Sequence, residues 1–244
     1  METIICRLLP FSIADGPHNM AADEVLLHSA QTGQASLRFY GWTGATVSLG
    51  YFQSATAREI DPRLRALPFV RRPTGGATLV HHHELTYALA LPPTLFRQSE
   101  PWLVRMHRII GLALERLGVH CRLAAEQEQG RKHSVFCFQQ FTPGDLLVGG
   151  NKIAGSAQRR QKGALLQHGA ILLKASPQAP QLSGILELAG HRLSLEACED
   201  AIVHEFQRDT GWELRECPWA LEEQEALTQL AIEKYSTAEW NNKR

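Results

Sequence analysis

CFQQFTPGDLLVGGNKIAGSAQRRQKGALLQHGAILL, residues 137–173, is the stretch on which the reading of this chain turns. Two short apolar runs, Asp145-Leu-Leu-Val148 and Lys152-Ile-Ala154, flank Gly149-Gly150-Asn151, which reads as a hairpin turn. A hairpin reverses the chain, so Lys152 returns toward the segment that carries Cys137, fifteen residues earlier. A free thiol with a pKa near ~8.5 is only slightly ionised at neutral pH. An ammonium about 4 Å away, at an effective dielectric near 20, favours the thiolate by roughly 4 kcal/mol before desolvation opposes it. Cys137 is therefore a candidate nucleophile and Lys152 its activator. On position alone the alternative stays open that Cys137, between Phe136 and Phe138, is a small buried hydrophobe.

Composition sets the class. The 244 residues suit one large domain, or a domain with a small appendage, and 44% hydrophobic with 20% charged residues is a globular balance. Net charge is zero, so no global field argues for nucleic acid or a membrane surface. No apolar run is long enough to span a bilayer, and the N-terminal apolar run is too short for a signal peptide's core. The five cysteines are odd in number, scattered and without CxxC spacing. That pattern points to a reducing, cytoplasmic setting and away from structural zinc or a disulfide framework.

Outward from the central stretch, local patterns predict the elements. After a short first strand, Met20–Ala30 reads as a helix capped by His18 or Asn19, with Val25, Leu26 and Leu27 facing inward. Asp23 and Glu24 fall in its first turns, where negative charge complements the helix dipole. Leu37–Tyr40 and Ala45–Leu49 read as strands around Gly41–Gly44, and Tyr51-Phe52-Gln53 as either pocket lining or core. Pro68–Arg72, Ala77–His81 and Leu85–Leu91 are further strands, the last with Leu85, Tyr87, Leu89 and Leu91 on one face. Trp102–Leu117 is a structural helix stopped by Gly118, Val119–Leu123 a strand, and Ala124–His133 an exposed polar loop leading to Cys137. Ser176–Leu188, Ser194–Asp209 and Ala220–Tyr235 complete the expected helices. The chain contains no linker or internal repeat, so one domain spans 1–244, with a core of about 31–216 and a helical flank over 217–244.

Two motifs invite chemistry. His81-His82-His83 suggests a metal, but consecutive residues of a strand alternate faces, so the three cannot converge on one ion. No metal site is expected. Pro73-Thr74-Gly75-Gly76 after Arg71-Arg72 exposes backbone N–H groups beside fixed positive charge, a turn suited to a carboxylate, a phosphate or a thioester carbonyl.

RRPTGG at 71–76, His81 five residues on, and KIAGSAQRRQKGALLQHGAILL at 152–173 together resemble the biotin/lipoate protein ligase family. The likeness extends to NMAADEVLL at 19–27, LRFYGW at 37–42, VSLGYFQ at 47–53 and EWNNKR at 239–244. Within that family, a cysteine fifteen residues before the KIAGSAQ lysine is similar to the octanoyltransferases that act on the glycine cleavage H protein. One departure is Ala77, where family members often carry a third glycine.

The resemblance implies an α+β fold, a mixed, largely antiparallel sheet flanked by helices and related to class II aminoacyl-tRNA synthetase and biotin synthetase domains. It implies octanoyl-acyl carrier protein as donor and a lipoyl domain such as the glycine cleavage H protein as acceptor, with no cofactor. Cys137 would form an acyl-thioester, and Lys152 would lower the cysteine pKa and bind the acyl carbonyl. Arg72, Thr74, Gly75, Gly76, His81, Gly155, Ser156, Ala157, His168 and Gly169 would bind substrate. His81 or His168 would either relay the acceptor's proton or hold the loop, and Arg159, Arg160 and Lys162 would form either a patch for an acidic carrier or a solvated turn. The competing readings are an ATP-dependent lipoate ligase, a lipoyl amidotransferase using the same cysteine, and a non-catalytic binder of an acyl group or partner.

Overall fold

A computed structural model describes residues 3–59, 61–95, 100–128 and 136–244. In chain order the strands are β1 (Ile5–Ala14), β2 (Ser36–Trp42), β3 (Thr46–Leu49), β4 (Phe69–Arg71), β5 (Leu79–His81), β6 (Glu84–Leu91), β7 (Arg122–Leu123), β8 (Leu146–Val148), β9 (Asn151–Gln161), β10 (Ala164–Leu172) and β11 (Glu213–Glu216). The helices are α1 (Gly16–Gln31), α2 (Pro62–Arg65), α3 (Trp102–Arg116), α4 (Ile185–Ala189), α5 (Leu195–Thr210), α6 (Leu221–Leu230) and α7 (Ala238–Asn241). Eight strands form one sheet in the order β11-β1-β2-β6-β10-β9-β8-β7, and three form a second in the order β4-β3-β5. In the large sheet β1 runs parallel to both β2 and β11, and every other neighbouring pair is antiparallel. This is the expected α+β class, a mixed and largely antiparallel sheet flanked by helices.

The centre of the large sheet is buried on both faces, which is why β6 (ELTYALAL) is apolar on both sides of its alternation. Leu85, Tyr87, Leu89 and Leu91 pack with Trp102, Met106, Ile110 and Leu114 of α3 and Ile202 and Phe206 of α5. Ala88 and Ala90, on the opposite face, leave room for Met20, Leu26 and Leu27 of α1 and for Tyr235. A third cluster joins Val47, Leu49 and Val80 of the small sheet to Phe136, Phe138 and Ala170. Burying a phenylalanine is worth about 1.5–3 kcal/mol, so Phe136 and Phe138 together pin the single helical turn that begins at Cys137.

Several local expectations are corrected. Helix α1 starts earlier than Met20, because Asp15 accepts the His18 N–H as its cap and Pro17 is tolerated in the first turn. Strands β2 and β3 do not pair across Gly41–Gly44 but belong to different sheets. Only Arg122 and Leu123 of Val119–Leu123 are strand. The polar loop expected over 124–133 is described as far as Glu128, and its remainder lies outside the described residues. Ser176–Leu188 is helical only over Ile185–Ala189, since Pro180 constrains the chain before it and Ser176 Oγ accepts instead from Gln178 N in a turn. Strand β11 (ELRE), short and without alternation, carried no signal, and it adds to the edge of β1. The last helix passes from α6 into a π-helical turn, Ala231–Tyr235. Among the described residues no helix is long and apolar enough to cross a membrane.

Candidate active site

The hairpin predicted around Gly149-Gly150 forms as a two-residue turn, both glycines having positive φ, with Val148 paired to Asn151. A register shift then sets Leu147 opposite Lys152 and Leu146 opposite Ala154. This bulge swings the lysine toward the helical turn at Cys137, whose N–H donates to the Thr78 carbonyl at 2.9 Å. Lys152 Nζ lies 3.9 Å from Cys137 Sγ and 5.4 Å from the Phe138 ring centroid. Cys137 is half-buried and lines a cleft, so its sulfur is not sealed in the core.

Arg72, Gly75, Gly76, His81, Gly155, Ser156, Ala157, His168 and Gly169 line the same cleft, with Met20, Leu79, Phe138 and Ala170 as apolar wall. Thr74 stands behind it, its hydroxyl 2.6 Å from His168 Nε2. Two glycines are needed on steric grounds. A Cβ at Gly155 would stand 2.2 Å from Lys152 Cε, so the lysine reaches the sulfur only by crossing a bare backbone. A Cβ at Gly169 would stand 2.8 Å from both Tyr87 and Ser156.

Both arginines of RRPTGG spend their hydrogen bonds mainly on the backbone, although Arg72 also lines the cleft and interacts electrostatically with Cys137. Arg72 donates to the carbonyls of Ser48, Gly75 and Ala77 and to Ser48 Oγ, and burial draws its pKa down to about 10. Arg71 donates to the carbonyls of Gly50, Gln53 and Asn241. The expected fixed positive charge is thus present beside the turn, with its hydrogen bonds spent on shaping it. Ala77 fits because φ is positive at Gly76 and not at the residue after it.

The histidines are tied on both ring nitrogens. His168 Nδ1 lies 2.7 Å from Asp23 Oδ2, and that carboxylate also accepts from Arg38 Nη1 and Tyr40 OH. A ring that donates from Nδ1 to a carboxylate accepts at Nε2 from the Thr74 hydroxyl. His168 thereby links Asp23 to Thr74 of the glycine loop. His81 stacks on Trp42 at 3.8 Å and sits between Glu84 and Ser48, which puts it in the wall with Arg72. The strand ends at His81, so its neighbours separate from it at a corner and not by strand alternation. There His82 and His83 stack on each other, and His82 reaches Ser176.

Three functional-looking residues escaped the sequence reading. Asp23, expected to serve helix electrostatics, is fully buried beneath His168. Its signal was a carboxylate three residues after Met20 and four before Leu27, on the inward face. Its neighbour Glu24 likewise takes Lys234 and Tyr235 as partners across the core. Asp145 accepts from Lys152 Nζ at 2.8 Å and from Thr142 N, so the amine is anchored as well as charged. His107, inside the apolar stripe of the supposedly structural α3, has Nδ1 2.6 Å from the Gly144 carbonyl and Nε2 2.9 Å from Ser156 Oγ. Burial holds its pKa below the usual imidazole range, so it accepts from the serine in its neutral form. Of the basic run, Arg159 donates to the Pro73 carbonyl and braces the loop, while Arg160 and Lys162 are exposed. Phe52 is 72% exposed beside that loop and is neither core nor cleft lining.

Comparison with known proteins gives this geometry its context. The profile of the lipoyl protein ligase A/B catalytic domain matches residues 15–207. Octanoyltransferase LipM of Kyrpidia tusciae is 33% identical over 98% of each chain, and that of Geobacillus kaustophilus 34% identical over the whole of both. The corresponding Bacillus subtilis protein is 31% identical, again over the full length of both. Among solved structures, lipoate-protein ligase A bound with ATP superposes with a TM-score of 0.78 at 23% identity, covering 98% of this chain and 99% of that one. A bipartite lipoate protein ligase from Thermoplasma acidophilum gives 0.73 at 21%, covering 99% and 97%.

Proposed function

The chain belongs to the lipoyl protein ligase A/B catalytic-domain family, and on that premise we propose that it is an octanoyltransferase of lipoate biosynthesis working through Cys137. The observation that carries the reading is the sulfur on the wall of an apolar-lined cleft with an ammonium 3.9 Å away. The donor is an octanoyl thioester of an acyl carrier, and the acceptor is the lysine of a lipoyl domain such as the glycine cleavage H protein.

In the first step Cys137 thiolate attacks the thioester carbonyl. A carbon–sulfur bond to the enzyme forms, the bond to the carrier's sulfur breaks, and the carrier leaves as a thiolate. Exchanging one thioester for another is nearly thermoneutral, so no nucleotide is called for. Lys152 places positive charge beside the attacking sulfur, a field that Asp145 partly offsets while fixing the amine's position. The same ammonium donates to the oxygen that gains charge in the tetrahedral intermediate. The alkyl tail fills the cleft between Met20, Leu79 and Ala170, contributing roughly 0.8 kcal/mol per methylene.

In the second step the neutral lysine of the acceptor attacks the acyl-enzyme, and Cys137 departs with the electron pair while the nitrogen gives up its proton. His81 and His168 have both ring nitrogens engaged, so they serve better as wall than as base. The departing thiolate takes that proton. Incubation with octanoyl carrier protein should leave an octanoyl group on the intact protein by mass, with none on Cys137→Ala and no turnover by that variant. A Cys137→Ala protein that still transfers octanoate would overturn the reading, as would lipoate-dependent pyrophosphate release without an acyl-enzyme.

A further inference from the structure

A second cleft shares Phe138 with the acyl cleft and is walled by Phe141, Asn151, Gln181, Leu182 and Ser183. Lys152 lines this second cleft and Cys137 the first, so the sulfur–ammonium contact lies where the two approach each other. Resting on the function proposed above, we infer that the second cleft takes the extended, amide-bearing thiol arm of the donor, while the first takes its alkyl chain.

The argument begins at the carbon under attack. Around a tetrahedral intermediate the alkyl chain, the leaving sulfur, the attacking sulfur and the oxygen point in four directions. A single apolar slot accommodates only one of the two long substituents, so the other must leave by a separate route on the Lys152 side. The walls differ accordingly. The acyl cleft is faced by Met20, Leu79, Phe138 and Ala170, which suit methylenes. The second cleft places carboxamides (Gln139, Asn151, Gln181) and a hydroxyl (Ser183) among three apolar side chains (Phe138, Phe141, Leu182). Alternating donors, acceptors and short apolar patches fit a chain of secondary amides joined by methylenes. Among the described residues, the side chains of Gln181 and Ser183 make no hydrogen bond, which leaves them available to such a chain.

The test compares two donors on one variant. Ser183→Trp fills the cleft, and acyl-enzyme formation is followed by intact mass with octanoyl-pantetheine and with the octanoyl thioester of ethanethiol, which has no arm. The ratio of the two rate constants, pantetheine over ethanethiol, should fall about tenfold relative to the parent protein. Gln181→Trp is the second variant should the first not fold, and octanoylation by the short thioester reports the folded site in either. An unchanged ratio overturns the assignment. So does a normal ratio with slowed transfer from the preformed acyl-enzyme to a lipoyl-domain acceptor, which would give the cleft to the acceptor. Failure of the unmodified protein to be octanoylated by either donor would remove the cysteine reading itself, a result distinct from the two above.

Discussion

At the scale of single residues, the site depends on a missing side chain as much as on the ones present. The Lys152 amine occupies the space that a methyl group at Gly155 would claim, and its 2.8 Å contact with Asp145 leaves it few other positions. Gly155→Ala should push the flexible end of the lysine off the sulfur and slow octanoylation of Cys137 about 100-fold, because misplacement by about an ångström is enough for such a loss. The thermal midpoint should move little, since the displaced atoms are the tip of a side chain. Equal octanoylation rates in variant and parent would show that the amine is not positioned by this gap. The approach of Lys152 to the Cys137 segment was legible from spacing and a turn signal, because a hairpin is a local event, whereas the role of the sulfur rested on the family resemblance. Asp145 was not legible, since nothing in DLLV marks a strand-leading aspartate as the lysine's counter-ion.

At the scale of elements, α1 and β10 meet through one buried hydrogen-bonded chain that runs from Arg38 and Tyr40 through Asp23 and His168 to Thr74. A helix reading treats Asp23 as dipole compensation, because its partners lie 15 to 145 residues away in sequence and leave no periodic trace. Asp23→Asn removes the charge that balances Arg38, itself only 2% exposed. Breaking one partner of a buried pair costs about 3–5 kcal/mol, so urea denaturation should show a loss of that size. The glycine loop should loosen with it. A loss under about 1 kcal/mol would mean that solvent reaches the arginine. Strands and helices with strong periodicity, β6 and α5 above all, were readable in the sequence, whereas β11 and the turns at 176–184 were set by edge pairing and proline geometry.

For the whole molecule, opposing titrations shape the dependence of stability on pH. Burial raises the carboxyls of Glu24, Asp209 and Glu223, but Lys234 with Tyr235, Arg108 with Arg105, and Arg7 with Ser29 more than offset it and hold them below their ordinary values. Their contribution is present above the ordinary carboxylate range and is lost as pH falls through the lowered values. Glu199 runs the other way. Burial, aided by Asp200, Glu196 and Glu216, raises it from 4.5 to about 7, so its favourable contribution is complete below 4.5 and lost as pH rises through 7. Glu199→Gln should therefore stabilise the protein at pH 8 by about 1 kcal/mol, solvent screening having reduced the full effect, and change nothing at pH 4. Equal unfolding free energies of variant and parent at pH 8 would contradict this. Overall architecture was the most legible level, because several separated motifs had to occur in one order, while the linkage between distant charges was the least.

Arg71, whose side chain carries the loop at Gly50–Gln53, is itself gripped by Asn241, 170 residues further along. During translation the loop that backs Thr74-Gly75-Gly76 therefore lacks its anchor until Asn241 has cleared the ribosome. A nascent chain already displays Cys137 and Lys152 long before that, yet in a frame not locked for acyl transfer. Messages cut short before the codon for Asn241 would then yield a protein with its reactive pair intact and the support of its glycine turn unfastened, a defect of timing and not of chemistry.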